Sequence, residues 1–226
     1  MVRKTETLLL IFSLACAYPA WAGGATAPVR SVVISLGSGQ AGIASLDAVR
    51  GRPVELTART SDGSAGTFAW SVTPANAAVI QDSGNGRVRL IAIRDAFDMP
   101  DGQEPRAEVK ACVGTTCAVI AVSCLVSVQG RWTTLLDGTV PIPIFGRVHG
   151  TETRHLTFVQ DGRRVVFDAE PGHPAALKLV GKRVDLIDPG DILRVFSGEM
   201  SSRDEGGGQI VSVPGFVGTW KVKREQ

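Results

Sequence analysis

The chain has 226 residues, with 24 Lys and Arg against 22 Asp and Glu, a formal charge of +2 and 44% apolar residues. That length holds one large or two ordinary domains with sizeable cores. The near-neutral balance excludes the one-sided charge on which electrostatic binding to nucleic acid or an anionic membrane rests. With 26 glycines, 12 prolines, frequent Val and Thr and no long amphipathic helical window, the class is all-β.

The N-terminus has a basic start at Arg3 and Lys4, an apolar stretch from Leu8 to Ala15 and a small-x-small end at Ala20-Trp21-Ala22. This is the tripartite pattern of a secretory signal peptide. The apolar stretch is too short for a membrane span, which needs about 20 residues, and nothing later is as apolar. Cleavage is expected after Ala22, so residues 1–22 are a leader and the mature chain starts at Gly23. Arg3, Lys4 and Glu6 leave with it, so the mature charge is 22 − 21, or +1. Cys16 after Ser13-Leu14-Ala15 offers a lipid-anchor alternative, weakened because Ser13 stands where a Leu is usual. The expected destination is periplasmic or secreted.

Residues 30–128 are expected to form strands at 30–36, 44–49, 53–59, 67–73, 86–93, 106–113 and 117–128. Turn clusters separate them, notably at 61–66 and 82–86. Between the first two of these strands, Gly37-Ser-Gly39-Gln-Ala-Gly42 matches the G-x-G-x-x-G of dinucleotide-binding folds. The acidic residue that should end the second strand is absent, since Ala58-Arg59-Thr60 stand there, and no helix–strand alternation follows. A Gly-rich turn between edge strands is the expectation.

The run Val49-Arg-Gly51-Arg-Pro53-Val-Glu-Leu56-Thr-Ala58, then Ser61-Asp-Gly63, then Phe68-Ala-Trp70-Ser71-Val72, resembles bacterial immunoglobulin-like domains of exported proteins. The resemblance implies a two-sheet β-sandwich over residues 23–128, used as a spacer, adhesion or carbohydrate-associated module. Trp70 alternates with Phe68 and Val72 and is expected in the inter-sheet core. The connection 95–105 is longer than such a domain needs. Its Asp98, Asp101 and Glu104 could hold calcium, but their spacing and Pro100 favour a solvated loop.

Cys112, Cys117 and Cys124 remain in the mature chain, an odd number for an oxidising compartment. Gly114-Thr115 suits a two-residue turn with glycine at its first central position. Cys112 then faces Cys117 as a non-hydrogen-bonded pair, with Cα atoms roughly 4.5 Å apart. Parity puts Glu108, Lys110 and Cys112 on one face, and Ile120, Val122 and Cys124 on the apolar face of the return strand. The expectation is one disulfide, Cys112–Cys117, and a free buried thiol at Cys124.

Residues 129–146 are punctuated by Pro141 and Pro143 and are expected to be a linker. Residues 147–226 follow with about six strands and room for one short helix near 175–180. The phrase Leu179-Val-Gly181-Lys-Arg-Val184-Asp-Leu186, with a later strand ending Ser197-Gly198-Glu199, resembles small exported OB-like barrels. That resemblance implies a small β-barrel able to bind oligonucleotides or oligosaccharides. Nucleic acid is disfavoured, because the aromatics lie mostly at core parity and the domain is almost uncharged.

No G-x-S-x-G, S-x-x-K, H-E-x-x-H, C-x-x-C or Walker loop is present. His149, Glu152 and His155 could give zinc two nitrogens and a carboxylate, although the Gly and Thr between them imply a turn. Asp185, Asp188 and Asp191 surround Pro189-Gly190 and are expected in a solvated turn. The expectation is therefore an all-β protein, an immunoglobulin-like β-sandwich followed by a small OB-like β-barrel, with no cofactor, no metal and no enzymatic activity. Its role would be binding or scaffolding in the cell envelope, with an envelope protein or a glycan as partner. An alternative is a carbohydrate-binding accessory module using exposed Trp132 and Trp220; a cryptic hydrolase is a third class.

Overall fold

The computed structural model describes residues 31–63, 66–142, 146–170, 173–188, 194–212 and 215–226. Residues 1–30, with the expected leader and Cys16, lie outside them.

The first half forms two four-stranded sheets around one core. Strands β1 (Val32–Leu36), β3 (Pro53–Thr60), β6 (Arg87–Ala92) and β5 (Ala78–Gly84) run in that order, each antiparallel to its neighbour. The facing sheet has the order β2 (Ser45–Val49), β8 (Thr116–Leu125), β7 (Arg106–Val113) and β4 (Ala69–Thr73), with β2 parallel to β8. Alternate residues of every strand point inward. Ile34, Leu56 and Leu90 from one sheet therefore meet Val109, Ile120 and Val122 from the other, all buried. Trp70 packs half-buried against this core.

The Gly37–Gly42 segment carries the chain from the first sheet to the second. A bridge between Ser35 and Ala41 closes it into a tight turn, and Gly39 and Gly42 have φ of 94° and 68°. Only glycine takes such angles without strain. Strand β2 follows where a dinucleotide fold needs a helix. Strand β5 was not expected: Gln81-Asp82-Ser83-Gly84 looks like a turn, yet it pairs with β6 before the tight turn at Asn85-Gly86.

The second half is a closed barrel of eight consecutive antiparallel strands. These are β9 (Gly130–Ile142), β10 (Gly146–Asp161), β11 (Arg164–Glu170), β12 (His173–Val180), β13 (Arg183–Asp188), β14 (Arg194–Met200), β15 (Glu205–Ser212) and β16 (Phe216–Arg224). Pairing of β16 with β9, with Trp220 opposite Leu136, closes the ring. Three expectations are corrected here. The up-and-down order is not that of an OB-fold, which is a five-stranded Greek-key barrel. The expected linker 129–146 is mostly strand: Pro141 sits near the hairpin tip, and the ladder still runs on to Ile142 and Gly146. Residues 175–180 lie in β12, not in a helix.

The barrel is apolar inside, and its outer face mixes charged residues with exposed Leu135, Val159, Val211 and Val217. Trp132, Phe158, Leu179, Met200, Ile210 and Val222 are buried within it. Lys178, Arg183, Glu199, Glu205, Lys221 and Lys223 are exposed around it. A lipid-facing barrel has the opposite pattern. Among the described residues no helix is long and apolar enough to cross a membrane.

Candidate functional site

Glycines shape the barrel wall. Gly198 faces Gly208, and Gly138 faces Gly218. A Cβ on Gly208 would lie 2.0 Å from the Ser197 carbonyl oxygen, and one on Gly198 would lie 2.7 Å from the Trp220 ring. Side-chain-free positions let the strands coil sharply, and an aromatic from a nearby strand fills the space. Trp220 is held there by donating its indole N–H to the Ser197 carbonyl at 3.1 Å. On the adjoining strand β9, nearer the sandwich, Trp132 stacks on Phe158 at 5.6 Å and donates to the Val128 carbonyl at 2.8 Å.

Inside the barrel lies a cavity with about 60 Å³ of room for water centres. Leu136, Phe167, Leu177, Val184, Phe196 and Trp220 line it among others, and Thr134 and Arg154 are its polar side chains besides the tryptophan. Thr134 and Arg154 face each other across β9 and β10. Arg154 is clamped by both carboxylate oxygens of Glu152, at 2.7 and 3.0 Å. The Thr134 hydroxyl is buried and has no hydrogen-bond partner.

The sandwich closes one end of the barrel. Its loop after β6 opens with a single 3-10 turn, Ala96–Asp98, and sends Ala96 and Phe97 into the barrel's apolar cluster. Lys182 and Arg203 from two barrel turns lie over the Phe97 ring, 4.9 and 5.7 Å from its centre. Asp95 is 0% exposed and accepts from Arg203 at 2.9 and 3.1 Å and from Arg50 at 3.2 Å. Asp98 bridges the same two arginines at 2.7 and 2.9 Å. Glu104 accepts from Arg163 at 2.5 Å and from the Gly181 N–H at 2.7 Å, and Arg163 also reaches Asp47 at 3.2 Å. Buried Gln160 ties down the connecting segment, donating to the Val126 carbonyl and accepting from the Val128 N–H.

These contacts set the local electrostatics. The Asp95 hydrogen bond, reinforced by Asp98, drives the Arg203 guanidinium further up against its desolvation. Burial alone would raise Asp98, but the Arg203 hydrogen bond, the Asp95 N–H and the charges of Arg50 and Arg203 outweigh it. Asp98 is held below the ordinary carboxylate value. The Glu104 hydrogen bond likewise raises Arg163. The three acids of this loop do not converge on a cation: Asp98 and Glu104 pair with arginines, and Asp101 caps the Gln103 N–H.

The other candidates separate as follows. Cys112 and Cys117 form the disulfide, with Cα atoms 4.1 Å apart across the Gly114 turn. Cys124 is a free, fully buried thiol, pushed up to about 11 by burial and by the charges of Asp95 and Glu104. Trp132 and Trp220 are 0% and 5% exposed. The expectation that they meet a ligand at the surface is corrected: both stand at inward parity in the barrel. His149 and His155 lie on the outer face of β10, six residues apart, with Glu152 on the other face. His149 meets Asp137 at 2.6 Å and His155 meets Glu225 at 2.6 Å, so the three do not converge. Among the described residues no group of His, Cys, Asp and Glu gathers to hold a metal. Asp185 pairs with Arg183 at 2.8 Å; Asp191 lies outside the described residues.

No protein-family model matches the chain, and no curated protein matches it. Among solved structures it is similar to the S-layer protein rSbsC(31-844), at TM-score 0.32 and 9% identity over 72% of this chain and 26% of that one. It is also similar to domains 5–6 of the S-layer protein SbsC, at 0.31 and 9% over 87% and 85%. A multidomain protein including DUF1735 from Bacteroides ovatus follows, at 0.28 and 10% over 81% and 88%. The chain spans about a quarter of the first of these. At such scores the likeness carries no argument about family or activity.

Proposed function

We propose that this chain is a non-catalytic, exported protein of the bacterial cell envelope, periplasmic or secreted. In this reading an immunoglobulin-like sandwich carries the eight-stranded barrel as a rigid binding or scaffold unit. The observation that carries it is the docked Asp95–Glu104 loop. A buried carboxylate, the barrel arginines Arg163 and Arg203 and an inserted phenylalanine join the two domains, where a tethered pair would have an exposed hinge. One end of the barrel is closed by the sandwich, and its outer wall and opposite end are left to meet a partner.

Two further features support the reading. The orders β1-β3-β6-β5 and β2-β8-β7-β4 correspond to the ABED and GFC sheets of an immunoglobulin fold with its first strand divided between them. The leader pattern and the Cys112–Cys117 bond suit an oxidising compartment. The glycan alternative required Trp132 and Trp220 at the surface and is not carried forward.

Fractionation of expressing cells with intact-mass analysis tests export. The expected product begins at Gly23 and is found in the periplasm or the medium. A cytoplasmic product that retains residues 1–22 would contradict it. Turnover of an ester, peptide or glycoside that is lost in His149→Ala or His155→Ala would contradict the non-catalytic assignment.

A further inference from the structure

We propose that the barrel cavity is a binding site for a small, neutral, largely apolar molecule with one hydrogen-bonding oxygen, which meets the hydroxyl of Thr134. The inference concerns the barrel alone and does not depend on export or scaffolding.

The cavity's size is the first argument. Holding one water takes roughly 10–15 Å³ of room for its centre, and this space has about 60 Å³. Its chemistry is the second. Water in a cavity needs two to four polar partners, whereas among the described residues the lining is aliphatic, aromatic or thioether apart from Thr134, Arg154 and the indole of Trp220. The indole N–H is already committed to the Ser197 carbonyl. Arg154 is held by both oxygens of Glu152, so its charge is balanced within the wall. That pairing disfavours a charged guest.

Thr134 supplies the independent third observation. It is 5% exposed, and its hydroxyl has no hydrogen-bond partner. Its place on β9 is inward, between Trp132 and Leu136, which share that parity. A valine there would fill the same volume without leaving a polar atom unsatisfied. An unpartnered buried hydroxyl is disfavoured in folding, and a guest carbonyl or hydroxyl would satisfy it. The recognised chemistry is therefore a compact hydrocarbon body with a single ketone, alcohol or ester oxygen.

Cyclohexanone and cyclohexane, titrated separately into the full mature protein, provide the test. Binding is read from the indole N–H resonances of Trp220 and Trp132 in nitrogen-edited spectra. Wild type is expected to bind both saturably, with Trp220 shifting. Thr134→Val is expected to weaken cyclohexanone about tenfold, the size of one lost hydrogen bond to a buried group. The same change should leave cyclohexane within about twofold. Val184→Phe, which fills the cavity from another strand, is expected to abolish both. Absence of saturable binding of either probe to folded wild type would overturn the site. Equal weakening of both probes by Thr134→Val, or an unchanged cyclohexanone affinity, would overturn the role of its hydroxyl.

Discussion

Cys124 illustrates how far a single residue can be placed by parity. On β8 it falls on the face of Ile120 and Val122, seven residues after Cys117 and therefore on the opposite side of the strand. The disulfide was legible for the same reason: a glycine at the head of a two-residue turn fixes the register, and register makes Cys112 face Cys117. The small loop it closes limits its contribution to about 2 kcal/mol. Burial raises the Cys124 thiol, so little thiolate exists at neutral pH. The mature protein treated with a maleimide under native conditions is therefore expected to gain no label within minutes, and one label per chain once denatured. Rapid native labelling would mean that the sandwich core opens. Trp132 was less legible than Trp220. Around Trp132 the polar Thr134 shares its parity and interrupts the apolar alternation, whereas around Trp220 the run Thr219-Trp220-Lys221-Val222 alternates and does point the ring inward.

At the scale of elements, glycine does in the barrel what side-chain pattern does in the sandwich. Strands of the sandwich alternate plainly, and seven of its eight were visible; β5 was missed because its second half is polar and ends in glycine. In the barrel, β9 and the first half of β10 were hidden by Gly138, Pro141 and the Gly150-Thr151 step, all of which suggest turns. A hairpin thirteen pairs long overrides them, because each residue between Gly130 and Ile142 has a ladder partner on β10. The glycine-rich run Gly206-Gly207-Gly208 looks like a loop and is instead strand, paired with both β14 and β16. Gly208→Val should expose its importance, since a Cβ there would overlap the Ser197 backbone. Relieving that overlap moves backbone rather than a flexible side chain, so a loss of about 3 kcal/mol or more is expected, at the upper end of overpacking effects. Denaturant unfolding measures it; a Gly208→Val protein within about 0.5 kcal/mol of wild type would show that the wall is not under this constraint.

For the whole molecule, the decisive feature is the polar and apolar lock at the Asp95–Glu104 loop, which no local pattern announced. The loop was visible as too long, but its acids were as compatible with solvent or calcium as with arginines 59 to 108 residues away. Arg163 and Arg203 sit in barrel turns, and nothing in their neighbourhood marks them as partners of Glu104 and Asp95. Long-range charge pairing of this kind becomes visible only in three dimensions. Its energetic weight comes from burial: Asp95 is fully enclosed, so removing Arg203 leaves a carboxylate with fewer donors than it needs. Arg203 is itself partly exposed, so the expected loss is moderated, to about 1–3 kcal/mol.

The most direct test of the lock follows denaturant unfolding of the mature protein with one probe in each domain. In a Trp70→Phe background, indole fluorescence reports the barrel through Trp132 and Trp220, and thiol labelling of Cys124 reports the sandwich. Coincident midpoints are expected, because the domains unfold as one cooperative unit, and Arg203→Ala should pull the two apart. Well-separated midpoints in the protein with Arg203 intact would show two independently folding domains on a loose joint.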